Sequence, residues 1–203
     1  MKIINLINRS GVYTCNVYLV LGTWNRMQDV NTLVDVGRDP QIIEEIRTAA
    51  TGVGKKRVAQ VVLTHSHYDH AANLHLIRDA FHPVVRAFST SLEGVDVVLK
   101  GGESLQMGDR MFEVIHTPGH SHDSICLYCE QDRILFAGDT TLNVQSAGGT
   151  YEEGYIHALE TLGRRDIEII YAGHGQPLSQ NCNRLLRNAL KNVRASMRKK
   201  IRA

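Results

Sequence analysis

The chain has 203 residues, 43% of them hydrophobic and 22% charged, with a formal net charge of +2 and ten histidines. That length suits one domain with a substantial core, and the composition excludes a disordered, low-complexity or repeat protein. No stretch approaches the roughly 18 apolar residues of a membrane helix, and MKIINLINRSGVYTCNVYLVLGTW lacks signal-peptide grammar, so a cytoplasmic location is expected.

The N-terminal third reads as strands: KIINLI, NVYLVL and NTLVDVG are β-branched or aromatic runs separated by Gly, Asn and Asp, the pattern of an antiparallel meander. DPQIIEEIRTAA predicts a helix with Asp39 as N-cap, Pro40 at its first position and Gly52 as its stop. RVAQVVLT is short and apolar enough for a buried strand, AANLHLIRDAF has helical spacing, and PVVRAFS is again a strand. In VDVVLKGGESLQMGDRMFEVIHTPGH, Gly-Gly and Gly-Asp mark hairpins, and SICLYCEQDRILFAGD repeats that grammar with Gln131 and Asp132 in its turn. YEEGYIHALETLG predicts a helix ending at Gly163, IEIIYAGHG a strand running into a turn, and NRLLRNALKNVRASMRKKIR a long terminal helix. Strands dominate both halves and helices accompany each, which points to an α/β sandwich of two sheets.

The charge is uneven. From Cys182 to Ala203 there are eight Lys or Arg and no acid, leaving net −6 on the rest of the chain. Leu186, Leu190, Val193, Met197 and Ile201 recur at helical spacing there, predicting an apolar stripe that packs on a sheet. The basic rim leaves open contact with nucleic acid or an anionic surface. Cys15, Cys126, Cys129 and Cys182 are too few and scattered for a disulfide framework. Cys126 and Cys129, three apart on a strand, face opposite sides and read as core rather than as a redox pair.

THSHYDH places His65, His67, Asp69 and His70 within six residues, a density that no core or surface requires. Alternate residues of an extended segment share a face, so His65, His67 and Asp69 are expected to point together, with a helix from about Ala71 turning His70 toward them. VDVG, TPGHSH, AGDTT and AGHGQ each set a His or Asp where an apolar strand meets a Gly-rich loop: Asp35, His120, Asp139 and His174. Imidazoles with carboxylates suit zinc, iron or manganese, and the lack of a ligand cysteine argues against a closed structural zinc site.

HSHYDH, TPGHSHDS, GDT and AGHG, in that order, resemble the metallo-β-lactamase-fold hydrolases, most nearly their single-domain, glyoxalase II-like branch, over about residues 3 to 178. The resemblance implies an αβ/βα four-layer sandwich, two central mixed sheets flanked by helices, as one domain over residues 1–203 that ends in the basic amphipathic helix (about 180–202). It implies two divalent metal ions, zinc foremost. His65, His67 and His120 would hold one, Asp69, His70 and His174 the other, and Asp139 would bridge them. A metal-bound hydroxide would then attack a small ester or thioester, with Asp69 also serving acid–base chemistry and Asp35 orienting a ligand histidine.

Two departures bear on substrate. His122-Asp123-Ser124 replaces the usual Pro/Thr-Gly-Ser pattern, and TTLNVQSAGGTYEEG lacks the Phe- and Arg-containing segment typical of glyoxalase II, whose second, helical glutathione-contacting domain has no counterpart in these 203 residues. Glutathione thioesters are therefore one substrate class among several. His122, Tyr151, Tyr13 and Arg9 are the candidates for substrate contact. Trp24 falls in a hairpin at the far end of the meander and suits packing or homodimer formation. His75, His82, His116 and His157 are expected to be structural. The rival activities are a mononuclear-iron persulfide dioxygenase using His65, His120 and Asp139, a nuclease or phosphodiesterase holding nucleic acid on the basic helix, and a non-enzymatic metal-binding module.

Overall fold

The computed structural model describes residues 1–7, 10–149 and 151–201, with side chains as far as Met197. The chain forms β1 (Lys2–Asn5), β2 (Tyr18–Leu21), β3 (Thr32–Val34), α1 (Ile42–Thr48), β4 (Gln60–Val62), α2 (Tyr68–Ala71), α3 (Leu74–Phe81), β5 (Val84–Ala87) and β6 (Val97–Val98). It continues with β7 (Ser104–Met107), β8 (Arg110–His116), β9 (Ile125–Cys129), β10 (Ile134–Gly138), α4 (Glu153–Gly163), β11 (Ile169–Ala172) and α5 (Cys182–Ile201).

Period-two burial explains the layers. In β2, Tyr18 and Val20 enter the core between the sheets while Leu19 and Leu21 enter the core under α1 and α3. In β9, Ile125, Leu127 and Cys129 face the inter-sheet core, and Cys126 and Tyr128 face α4 and α5. The two cysteines of the CxxC thus lie in different cores, as strand alternation predicts. Strands buried on both faces need cover on both, and the result is helices, sheet, sheet, helices. One sheet has the order β1-β2-β3-β4-β5-β6 and the other β11-β10-β9-β8-β7. Both are mixed: β1 to β3 are antiparallel and β3 to β6 parallel, while β7 to β10 are antiparallel and β10 and β11 parallel.

Four local expectations change. Gly108 and Asp109 do turn the β7–β8 hairpin, but Gly101 and Gly102 join strands of different sheets. Asp39 accepts the Gln41 amide at 3.0 Å in a turn ahead of α1, rather than capping the helix itself, and α1 ends before Gly52. The helical turn after the histidines starts at Tyr68, not Ala71. On α5 the buried line is Cys182, Leu186, Ala189, Val193 and Ser196, with Leu190 only half-buried. Among the described residues no helix is long and apolar enough to cross a membrane.

The C-terminal ends of β3, β4, β8, β10 and β11 meet at one edge, where open α/β sheets characteristically present ligand-binding loops. There the Ile125 amide donates to the Thr64 carbonyl at 2.8 Å and ties the two sheets together. Trp24, 76% exposed, lies at the opposite edge, where the neighbouring Thr23 amide meets Asp109.

Candidate metal centre

Each donor is carried just past a strand end. Beyond β4, Leu63 and Thr64 stay buried and the backbone delivers His65, itself 2% exposed. His67 is the last extended residue, with φ −61° and ψ 149°, before α2 winds up. The alternation expected to align Asp69 with His65 and His67 therefore ends at His67. Asp69 and His70 instead leave the first helical turn, where Val36 N–H donates to the His70 carbonyl at 2.9 Å and Cys15 N–H to that of Asp69 at 3.4 Å.

This turn splits the cluster in two. His65, His67 and His120 form one group with donor atoms within 4.8 Å of one another, and Asp69, His70 and His174 form another. His65, His70 and Asp139 form a third that spans both. Asp139 Oδ1 lies 3.3 Å from His70 Nε2, while its Oδ2 lies 3.6 Å from His120 Nε2 and 3.4 Å from His174 Nε2. His174 Nε2 is 3.1 Å from Asp69 Oδ2, and His120 Nε2 is 2.9 Å from His67 Nδ1.

Asp35 organises the floor. Its Oδ2 is 2.9 Å from His70 Nδ1, and its Oδ1 accepts the Thr64 amide at 2.7 Å. Burial opposes charge on His70, but the Asp35 carboxylate and then Asp139 outweigh it and hold the imidazole above the ordinary histidine range. Burial, reinforced by His70, pushes His65 down to about 4, and burial lowers His120 as well. Both shifts favour the neutral ring, which has a lone pair to give. Asp139 is raised by burial, but His70, His174 and His65 more than reverse that and bring it to about 2.

Close approach requires glycine at two places. A Cβ on Gly173 would stand 2.1 Å from Asp139 Oδ1 and 2.7 Å from His70 Cε1, and one on Gly138, at φ +50°, would stand 2.6 Å from Thr64 Oγ1.

Of the other sequence candidates, Tyr13 stacks on His174 with ring centroids 5.2 Å apart and planes 14° apart. Tyr151 and His120 line a recess of about 240 Å³ with Tyr155, Thr141 and Glu152. His122 is exposed and lines a second recess beside the donor-cluster residues His67 and His120, and its carbonyl accepts His116 Nε2 at 2.7 Å. Arg9 lies outside the described residues. Sequence reasoning missed Cys15, whose sulfur is within 4.8 Å of donors on Asp35 and His70, and whose thiol burial pushes up to about 11. A lone cysteine in an unpatterned loop carries no signal; only the fold brings it there.

Residues 10–93 and 87–174 match the profile of the metallo-beta-lactamase superfamily. The chain belongs to that superfamily. Within it, the chain is 34% identical over 155 residues to a hydroxyacylglutathione hydrolase from Rhizobium etli, covering 72% of this chain and 57% of that protein. It is 27% identical over 148 residues to an atrochrysone carboxyl ACP thioesterase from Aspergillus fumigatus, covering 70% of this chain and 46% of that one. The chain thus spans about half the length of these curated relatives, which are hydrolases. The crystal structure of ETHE1 from Myxococcus xanthus superposes with a TM-score of 0.70 over 95% of this chain and 85% of that chain, at 21% identity, which concerns the fold alone.

Proposed function

We propose that this superfamily member is a metal-dependent hydrolase that binds two divalent ions and cleaves a small ester or thioester. One observation carries the metal reading. Four buried atoms, His65 Nε2, His70 Nε2, His174 Nε2 and Asp139 Oδ1, have no hydrogen-bond partner. Leaving one such group unsatisfied costs about 1 to 3 kcal/mol, so a cluster of four at one point needs an electrophile to receive the lone pairs. Several of these atoms approach one another closely without hydrogen-bond geometry, as donors aimed at a shared point would. The set of imidazoles and carboxylates fits zinc, with iron or manganese as harder alternatives, and a bound ion would take the place of the His70 proton that Asp35 and Asp139 otherwise favour.

On this reading His65, His67 and His120 hold one ion, Asp69, His70 and His174 the other, and Asp139 both. Such a pair, when bound, polarises the scissile carbonyl and makes water acidic enough to serve as nucleophile near neutral pH. Asp35 fixes the His70 ring through Nδ1 so that Nε2 faces the centre. On the same reading Asp69, 21% exposed, would hold a proton of the attacking water and pass it to the leaving group. Tyr13 covers the outer face of His174.

The mononuclear-iron alternative would use only His65, His120 and Asp139, leaving His67, Asp69, His70 and His174 without a purpose at the same point. The relatives' names favour acyl chemistry, with a thioesterase and a hydroxyacylglutathione hydrolase among them. The test is metal analysis of the purified protein together with a panel of esters and thioesters. Two equivalents of divalent metal per chain, with hydrolysis that chelation abolishes and zinc restores, are expected. One iron per chain with oxygen uptake, or a fully loaded protein inert to the panel, would overturn the assignment.

A further inference from the structure

Two recesses share His120 as a wall, and their linings differ in kind. The smaller, about 240 Å³, is bounded by Gly119, Thr141, Tyr151, Glu152 and Tyr155. Tyr151 stacks on Tyr155 at 5.6 Å and 24°, and the Tyr155 hydroxyl is spent on the Thr141 carbonyl, which leaves ring faces as its main surface. Gly119 lets the backbone lie flat on that surface, since a Cβ there would stand 2.8 Å from the Tyr155 ring. The volume of this recess is less than half that of its neighbour, which makes it the recess for the smaller part of a substrate.

The larger recess, about 580 Å³, is lined by Ser66, Phe88, Ser89, Thr90, Ser91 and Asp123 together with His67, His120, Ser121 and His122. It is a hydroxyl-rich trough with one carboxylate. Asp123 Oδ1 accepts Ser121 Oγ at 2.8 Å, whereas Oδ2 is buried and has no hydrogen-bond partner. Ser66 contributes a second hydroxyl to its surroundings. An orphaned carboxylate oxygen in a binding recess calls for a donor from the ligand: an amide N–H, a hydroxyl or an ammonium.

The charges point the same way. Among the described residues lining the two recesses there is no lysine or arginine, and the charged side chains are Glu152 and Asp123. Arg38 lies over the Tyr68 ring at 6.0 Å and lines neither recess. A carboxylate on the substrate would meet like charge here, with no guanidinium fork among the described lining residues to bind it.

Resting on the hydrolase reading above, we propose that the site selects esters or thioesters with a short uncharged acyl group and an uncharged leaving group that presents an N–H or O–H donor, and discriminates against glutathione thioesters, which bring two carboxylates. The smaller recess takes the acyl group and the trough takes the leaving group, whose N–H or O–H satisfies Asp123 Oδ2. Glutathione, with two carboxylates, is a poor occupant of such a trough.

The test pairs turnover with binding on the zinc-loaded full chain. With one acyl group on two thiols, kcat/KM for the N-acetylcysteamine ester should exceed that for the glutathione ester at least tenfold. Glu152→Lys, at an exposed position, and Asp123→Asn should each shrink that ratio at least threefold. In parallel, calorimetry should find S-methyl-N-acetylcysteamine bound at least tenfold more tightly than S-methylglutathione. Equal or reversed preference in binding, no measurable binding of either thioether, or a ratio unmoved in both variants overturns the proposal. A chain that turns over neither ester fails as a hydrolase, and the binding ratio alone then decides the selectivity.

Discussion

Asp35 occupies left-handed backbone, φ +60°, a conformation that costs a non-glycine residue about 1 to 3 kcal/mol. The strain is offset locally, because this geometry lets one carboxylate accept the Thr64 amide and hydroxyl and also reach His70 Nδ1. Gly173 is constrained from the other side by the same cluster, with Asp139 and His70 both inside the space that a methyl would need. Gly173→Ala should therefore displace a donor by a sizeable fraction of an ångström while leaving the cores untouched. Misplacement of about 1 Å costs on the order of 10²-fold in rate, so activity should fall at least 100-fold and metal stoichiometry should drop, with an unchanged circular dichroism spectrum. Gly163→Ala is the matched control, since a Cβ there meets nothing within 4 Å, and it should keep full metal content. A Gly173→Ala protein loaded as well as the control would show that the close packing has no functional weight.

Helix α5 illustrates what pattern can and cannot reveal. Spacing of large apolar residues places Leu186, Leu190 and Val193 on one stripe, but the face that docks against α4 and β11 runs through Cys182, Leu186, Ala189, Val193 and Ser196. Ser196 is buried without penalty because its hydroxyl accepts the Gly148 amide at 2.8 Å and donates to the Asn192 carbonyl at 2.9 Å. A hydropathy pattern cannot register a small polar residue whose partners lie in a distant loop. Leu186→Ala, at a fully buried site, should cost about 2 to 5 kcal/mol, and Leu190→Ala, half-buried, distinctly less, both measured by urea denaturation with metal content unchanged. Equal losses would restore the simple stripe. The same division runs through the chain. The β7–β8 and β9–β10 turns and the two-sheet α/β class were legible because alternation and turn chemistry are local, whereas the mixed strand directions came only with the family resemblance. That Gly101 and Gly102 switch sheets was not, because a glycine pair permits a reversal without specifying which sheet receives the chain. The seven candidate donors and their division into two groups were legible through the family resemblance; that the helical turn already starts at Tyr68, taking Asp69 off the face shared by His65 and His67, was not, since extended and helical continuations of HSHYDH are both sterically open.

At the scale of the molecule the donors come from both sheets. His65, His67, Asp69 and His70 follow β4 in one, while His120, Asp139 and His174 follow β8, β10 and β11 in the other. Between the sheets the inter-sheet core is closely filled by Phe112, Phe136, Leu127 and Met107, yet at the site edge backbone ties are sparse: Ile125 to Thr64 at 2.8 Å, and Asn16 to Gly173 at 2.6 Å. Ions held jointly by the two sheets would act there as a staple, present in the folded chain and absent from the unfolded one. A site that holds metal at a free concentration of 1,000 times its Kd adds about 4.1 kcal/mol, and for a chain of this length that corresponds to a Tm increment on the order of 10 °C. Thermal unfolding with and without a chelator should show this increment, and hydrogen exchange should locate the loosening at residues 64–71 and 138–139 and 172–174 together. Asp139→Asn should reduce the metal-dependent increment without abolishing it, because the carboxylate shared by both groups is lost while His120 and His174 still tie each group to the second sheet. A chelator-independent Tm, or loosening confined to one sheet, would mean that the ions do not bridge the halves of the fold.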